Sequence, residues 1–159
     1  MKEMFDEFVK WAHSNNWNIA IAPERMALPE CISQRYVIPE NWLEFVSRLK
    51  TCCNASQTKW FLLPEDFQPR SEGFQWNEFE LQSLSSAEND TAWKMEIISY
   101  WNRHLPIFMA VDGEYSYFAL DTTNGAVVSG FEPEYEESEV IAESFLSFLK
   151  KVISGEIAL

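Results

Sequence analysis

The run FMAVDGEYSYFALDTTNGAVVSGF, from Phe108 to Phe131, sets two turn signals between three apolar segments. Asp112-Gly113 and Asn124-Gly125 are dipeptides of tight antiparallel hairpins, whose central residues need the positive φ that glycine and asparagine tolerate. Phe108–Val111, Tyr115–Leu120 and Val127–Phe131 therefore read as an antiparallel meander. The middle segment is apolar or aromatic at nearly every position except Ser116, which predicts a strand covered on both faces.

Outward from the meander, helical and extended signals follow one another. Residues 2–13 put Met4, Phe5, Phe8, Val9 and Ala12 on one helical face, and Ser14, Asn15 and Asn16 stop it by competing for backbone hydrogen bonds. Trp17–Ala22 has strand character, and Pro23 and Pro29 bracket a loop. Pro39 suits a first helical turn, where its missing N–H would be unpaired anyway. Trp42, Phe45, Val46 and Leu49 then predict a buried stripe, with Arg48 and Lys50 at the C-terminal end. Trp60–Leu63 reads as a short strand stopped by Pro64, residues 64–77 as a long exposed loop, and Asn77–Leu84 as extended, because Phe79, Leu81 and Ser83 alternate with charged or amide residues.

Ser85–Arg103 predicts one long helix with Ala92, Met95, Ile98 and Trp101 on its inner face. Ser138–Ile153 predicts another, with Ile141, Phe145, Phe148, Leu149 and Val152 inward, Glu139 and Glu143 in its first turns and Gly155 as its stop. Trp42, Trp93 and Trp101 are expected in the core, while Trp76 is a candidate for surface contact or for covering a sheet edge. This order defines an α+β fold, a central and mostly antiparallel sheet flanked by helices, in one domain over residues 1–159.

The composition bounds the function. A chain of 159 residues can bury roughly 70% of the surface of its unfolded form, and 47% apolar with 15% aromatic content excludes disorder. Met1–Phe8 carries Glu3, Asp6 and Glu7 and lacks the basic start and apolar run of a secretory signal. The longest apolar run, Leu105–Val111, is far too short to span a bilayer, so a cytoplasmic protein is expected. Three cysteines, Cys31, Cys52 and Cys53, form an odd set of reduced thiols without zinc-ligand spacing. Two histidines are too few for a metal cluster, and the chain has no phosphate loop, dinucleotide glycine pattern or nucleophile elbow, so no cofactor is expected. Cys53 with His104 is a thiol–imidazole combination that spacing alone leaves open.

Charge is the sharper signal. Between His104 and Leu149 there is no lysine or arginine, yet Asp112, Glu114, Asp121, Glu132, Glu134, Glu136, Glu137, Glu139 and Glu143 lie there, in a chain of formal net charge −13. A solvated face that keeps the protein soluble accounts for such a cluster. So does a docking surface for a basic protein, and the same field repels nucleic acid and anionic membrane. On the docking reading, Glu132, Glu134, Glu136 and Glu137 around Pro133 and Tyr135 form the first contact, Tyr135 serving as an interface anchor. Asp112, Glu114 and Asp121 at the hairpin turns extend it. Clustered acids in one loop repel one another and suit solvent better than a tuned hydrolytic pair, and Asp121–Gly125 lacks the ligand spacing of a calcium loop.

An ordered series of short motifs adds a resemblance. Glu96-Ile97 with Tyr100-Trp101, His104-Leu105-Pro106-Ile107, Tyr115 to Asp121, Gly125-Ala126-Val127-Val128 and Gly130-Phe131-Glu132-Pro133-Glu134 lead to Ala142-Glu143-Ser144-Phe145-Leu146-Ser147-Phe148-Leu149. With Ile38-Pro39-x-x-Trp42-x-x-Phe45 and Trp60, the series resembles the SMI1/KNR4 family, or SUKH superfamily, over residues 36–152. It departs at Asn54-Ala55, where members often carry Asn-Gly. The resemblance implies an SMI1/KNR4-like fold and a non-enzymatic role. Bacterial members are immunity proteins that bind polymorphic toxins, many of them nucleases; fungal members are regulators linked to cell-wall glucan synthesis. The expectation is an antitoxin for a basic toxin domain, with a regulatory scaffold as the alternative. The aromatic sheet edges leave a homodimer open.

Overall fold

The computed structural model describes residues 1–68 and 73–159. Its centre is a seven-stranded sheet in which each strand pairs antiparallel with its neighbours in chain order. The strands are β1 (Asn18–Ile21), β2 (Leu49–Cys53), β3 (Lys59–Phe61), β4 (His104–Ala110), β5 (Ser116–Asp121), β6 (Val127–Phe131) and β7 (Glu139–Ala142). The helices are α1 (Lys2–Ser14), α2 (Glu30–Arg35), α3 (Glu40–Val46), α4 (Glu78–Ser86), α5 (Thr91–Trp101) and α6 (Phe145–Ser154), with a 3-10 turn at Pro64–Phe67. The meander around the two glycine turns is present, and the whole sheet extends its up-and-down pattern.

Alternation along the strands sends side chains to two opposite helical layers. Phe61, Phe108 and Phe118 are cross-strand partners on one face, with ring centroids 5.3 and 5.0 Å apart. Phe8 of α1, Phe45 of α3 and Phe148 of α6 pack against this ladder. On the other face Trp60 meets Phe74, and Tyr117 meets Phe79 of α4 and Trp101 of α5. Such rings favour edge and offset contacts over face-to-face stacking.

Several boundaries differ from those expected. Asn77–Leu84 is not extended: Phe79, Glu80, Ser83 and Ala87 are buried at helical spacing, and Leu81 faces solvent. The apparent alternation arose because a glutamate is inside. Glu80 takes a bidentate ion pair from Arg35, at 2.7 and 3.0 Å, which makes its burial tolerable. The helix expected over 85–103 is two, because the chain breaks at Glu88 (φ 44°) and Asp90 caps α5 by accepting from Trp93 N at 2.9 Å. Helix α3 ends at Val46, so Leu49 and Lys50 belong to β2. Cys52 and Cys53 also lie in β2 and alternate in burial, and burial pushes the Cys52 thiol up, away from reactivity. In the expected exposed loop Pro64 and Phe67 are buried and Phe74 and Trp76 half-buried; residues 69–72 lie outside the described residues.

The C-terminal helix also starts later than expected. Glu139–Ala142, with β-branched Val140 and Ile141, pairs with β6 as an edge strand, so Glu139 and Glu143 are not in a helical turn. Ser144 is the true N-cap, its hydroxyl accepting from Ser147 N at 3.2 Å, and Gly155 closes α6 at φ 79°. Replacing Ser144 with alanine is expected to lower stability by about 1 kcal/mol, read as a shift in urea midpoint at unchanged slope.

Candidate functional site

Between β6 and β7 the chain leaves the sheet at Phe131 and returns at Glu139, and this loop carries the glutamates. Its backbone is fixed at several points. Glu132 accepts from Tyr115 N at 3.1 Å, and Glu132 N donates to Tyr115 O at 2.8 Å. Tyr135 turns inward, stacks on Phe79 at 4.4 Å, donates to Gln82 Oε1 at 3.0 Å, and its carbonyl accepts from the Tyr117 hydroxyl. Burial, and then the nearby Glu132 charge, push its phenol up to about 12, so it stays a neutral donor. Glu136 accepts from the indole N–H of Trp101 at 2.7 Å. The loop is thus held by hydrogen bonds that it accepts from α5 and β5 and donates to α4.

Against α4 and α5 the loop closes an open groove of about 710 Å³. Gln82, Ser83 and Ser86 form one wall, Trp93 and Glu96 the next, and residues 132–137 the third. Five carboxylates line it, those of Glu96, Glu132, Glu134, Glu136 and Glu137, and none of its lining residues among the described residues is cationic. Glu134 and Glu137 are exposed at the rim, their carboxylates without a partner among the described residues, whereas Glu132 and Glu136 spend part of their accepting capacity on the protein.

The expected contact residues therefore separate into groups. Glu132, Glu134, Glu136 and Glu137 come together. Tyr135 does not serve as a surface anchor: it is 4% exposed and belongs to the core. Glu114 is exposed beside Tyr115, at the base of the loop. Asp112 is partly neutralised by Lys59 at 3.4 Å. Asp121 lies at the far end of β5, buried, accepting from Arg103, Thr123 and Asn124. It serves its turn rather than the acidic surface. Sequence reasoning also missed that α4 and α5 supply two walls. Trp93, expected in the core, is 42% exposed, because Ile97 and Trp101 take the buried stripe of α5 and leave Trp93 on its flank. Taking Ile97 and Trp101, four apart, as the inner pair would have found this.

A shallower hollow of about 400 Å³ involves Tyr100, Arg103 and His104. His104 Nδ1 is 2.8 Å from Tyr100 O, and Nε2 is 4.0 Å from Asp121. Burial lowers the imidazole pKa despite the hydrogen bond and the carboxylate, which holds the ring neutral at pH 7. Cys53 is not beside it. Cys53 pairs with Trp60 and Trp60 with Met109, and His104 lies five residues further along β4, about 16 Å away at strand rise. Among the described residues no three His, Cys, Asp or Glu side chains converge for a metal, and no helix is long and apolar enough to cross a membrane.

The fold and groove together define an α+β protein with an antiparallel sheet between two helical layers and an acidic cleft lined by five glutamates. Compared with known proteins, the chain matches no family model, no curated protein and no solved structure.

Proposed function

We propose that the protein is a non-enzymatic binding protein of the SMI1/KNR4 type that neutralises a basic toxin domain by occluding its charged face. The observation that carries the reading is the groove: five carboxylates on a hydrogen-bonded loop and its helical walls, with no cation among the described residues that line it. A nuclease toxin must hold phosphates and is therefore basic where it acts. A preformed acidic cleft offers such a surface carboxylates in place of phosphates. The loop loses little freedom on binding, because its internal hydrogen bonds already fix it. The one-signed field also raises the encounter rate, which suits an inhibitor competing with a lethal activity.

The experiment is rescue. A basic domain encoded beside this chain's gene should kill cells when expressed alone, and co-expression of this chain should restore growth. Reversing Glu134 and Glu137 to lysine is expected to abolish rescue, to lower the association rate about tenfold or more at low salt, and to leave the melting temperature unchanged. Glu136 is kept, because its carboxylate holds the Trp101 indole. Full rescue by the reversed variant would move the docking site elsewhere. Absence of any toxic neighbour would favour a regulatory scaffold.

A further inference from the structure

We propose that the outward face of α5 is the apolar half of the docking site, so that the partner segment is basic and amphipathic, with apolar side chains on Met95 and Ile98 and cations in the groove. This deepens the reading of the groove as a docking site and rests on it. Helix α5 was expected to bury Ala92, Met95 and Ile98. Instead Met95 is 68% and Ile98 43% exposed, and Ala92 is exposed beside them. Trp93 makes a third large apolar group open to solvent on a helix of 11 residues. Single exposed apolar residues are ordinary, but Met95 and Ile98 share one side of the helix, and Trp93 on the other side opens into a formed cleft, so the exposed apolar groups flank that cleft rather than being scattered.

Helical spacing puts Met95 and Ile98 toward solvent and Trp93 with Glu96 on the flank that lines the groove. A segment laid across α5 would cover the first pair and reach the cleft with its other face. Charge decides the occupant. An apolar segment would desolvate the rim carboxylates without pairing them. A purely basic segment would leave Met95 and Ile98 in water. A second copy of this chain brings a further −13 of like charge. A basic amphipathic segment satisfies both halves, and an arginine entering the groove would meet the Trp93 ring as well as the carboxylates.

The test uses the full chain and a peptide of about 18 residues, long enough to hold a helix, with leucine on one face and lysine on the other. Two controls replace leucine by glutamine or lysine by glutamate. Calorimetry is expected to show binding of the leucine–lysine peptide, and binding of each control weaker by about tenfold or more. M95Q/I98Q, which keeps the net charge, should weaken the first peptide about tenfold at unchanged melting temperature. If M95Q/I98Q binds as wild type while E134Q/E137Q is weakened, the α5 proposal is overturned and the acidic groove stands. If E134Q/E137Q binds as wild type, the groove reading falls and the paired site falls with it. A chain that sediments as a dimer and becomes monomeric in M95Q/I98Q would make the face a self-interface, which also overturns the proposal.

Discussion

Replacing Gly130 with alanine is expected to lower the unfolding free energy by about 3 kcal/mol, a drop of roughly 6–12 °C in melting temperature for a chain of this size. Gly130 on β6 is the cross-strand partner of Tyr117 on β5, and the tyrosine ring lies over the place where a Cβ would stand. A methyl there would sit 2.6 Å from Tyr117 Cε1 and Cζ, so the ring must move. Tyr117 is fully buried, meets Phe79 and Trp101, shares a hydrogen bond of 2.6 Å with the Tyr100 hydroxyl, and donates to the Tyr135 carbonyl. Displacing it strains the core and breaks two hydrogen bonds, one buried and one partly buried, each worth about 1 kcal/mol. Gly130 is not at positive φ, so alanine is no burden on the backbone itself. The control follows from that. In a Tyr117→Ala background the same change should be neutral or stabilising, since glycine weakens a strand. An additive double-mutant cycle in urea would show that the ring is not the cause. The Tyr117 hydroxyl also ties the glutamate loop, so Gly130→Ala should weaken partner binding at temperatures where the fold survives.

The same pair shows how far the sequence could be read. Asp112-Gly113 and Asn124-Gly125 announce the hairpins that join β4, β5 and β6 but not their register: a two-residue turn at Asn124-Gly125 would set Glu132 opposite Tyr117, and the longer turn closed by Asp121 N donating to Ala126 O sets Gly130 there instead. The long apolar stripes of α1 and α6 were likewise legible, because local spacing is enough to define them. What failed were segments whose burial is decided by partners far along the chain. Glu80 is inside because Arg35, 45 residues away, neutralises it, and this hid the helical period of α4. Ser138–Glu143 looked like a helix start with favourable charges, yet an open edge of β6 takes it as a strand. The candidate site divides in the same way. That the glutamates share one loop is a local fact. Which of them are free depends on Trp101, Tyr115 and Arg103, which adjacency in sequence does not indicate.

Asp121→Ala is the second large effect expected, about 2–3 kcal/mol of lost stability at pH 7, and its pH dependence identifies the cause. The carboxylate closes the turn after β5: Oδ1 accepts from Thr123 N at 2.9 Å and from the Thr123 hydroxyl at 2.5 Å, and Oδ2 from Asn124 Nδ2 at 3.0 Å and Arg103 Nη2 at 2.9 Å. Burial alone would raise its pKa. The Thr123 hydrogen bonds and the Arg103 guanidinium outweigh that and hold it below the usual carboxylate range. A folded pKa below the unfolded value, near 3.9, means that the unfolded chain takes up the proton first as pH falls. The contribution is therefore whole above about pH 5 and is lost as pH falls through the folded pKa. His104 acts in a higher window. Burial lowers its folded pKa, so the unfolded state binds the proton first and stability declines as pH falls below about 6.5. Many surface carboxylates titrate over the same acid range, so the wild-type curve alone mixes their effects. The difference between wild type and Asp121→Ala isolates the turn at the two ends of the range: it should be constant from about pH 7 upward, change below about pH 6.5 only by the shift in the His104 titration, and shrink below about pH 4. Asp121 also favours the His104 imidazolium while Arg103 opposes it, so the variant should move the His104 titration still lower, readable by NMR of the imidazole. A stability difference that persists unchanged at pH 3 would show that shape, and not the ionised carboxylate, holds this turn.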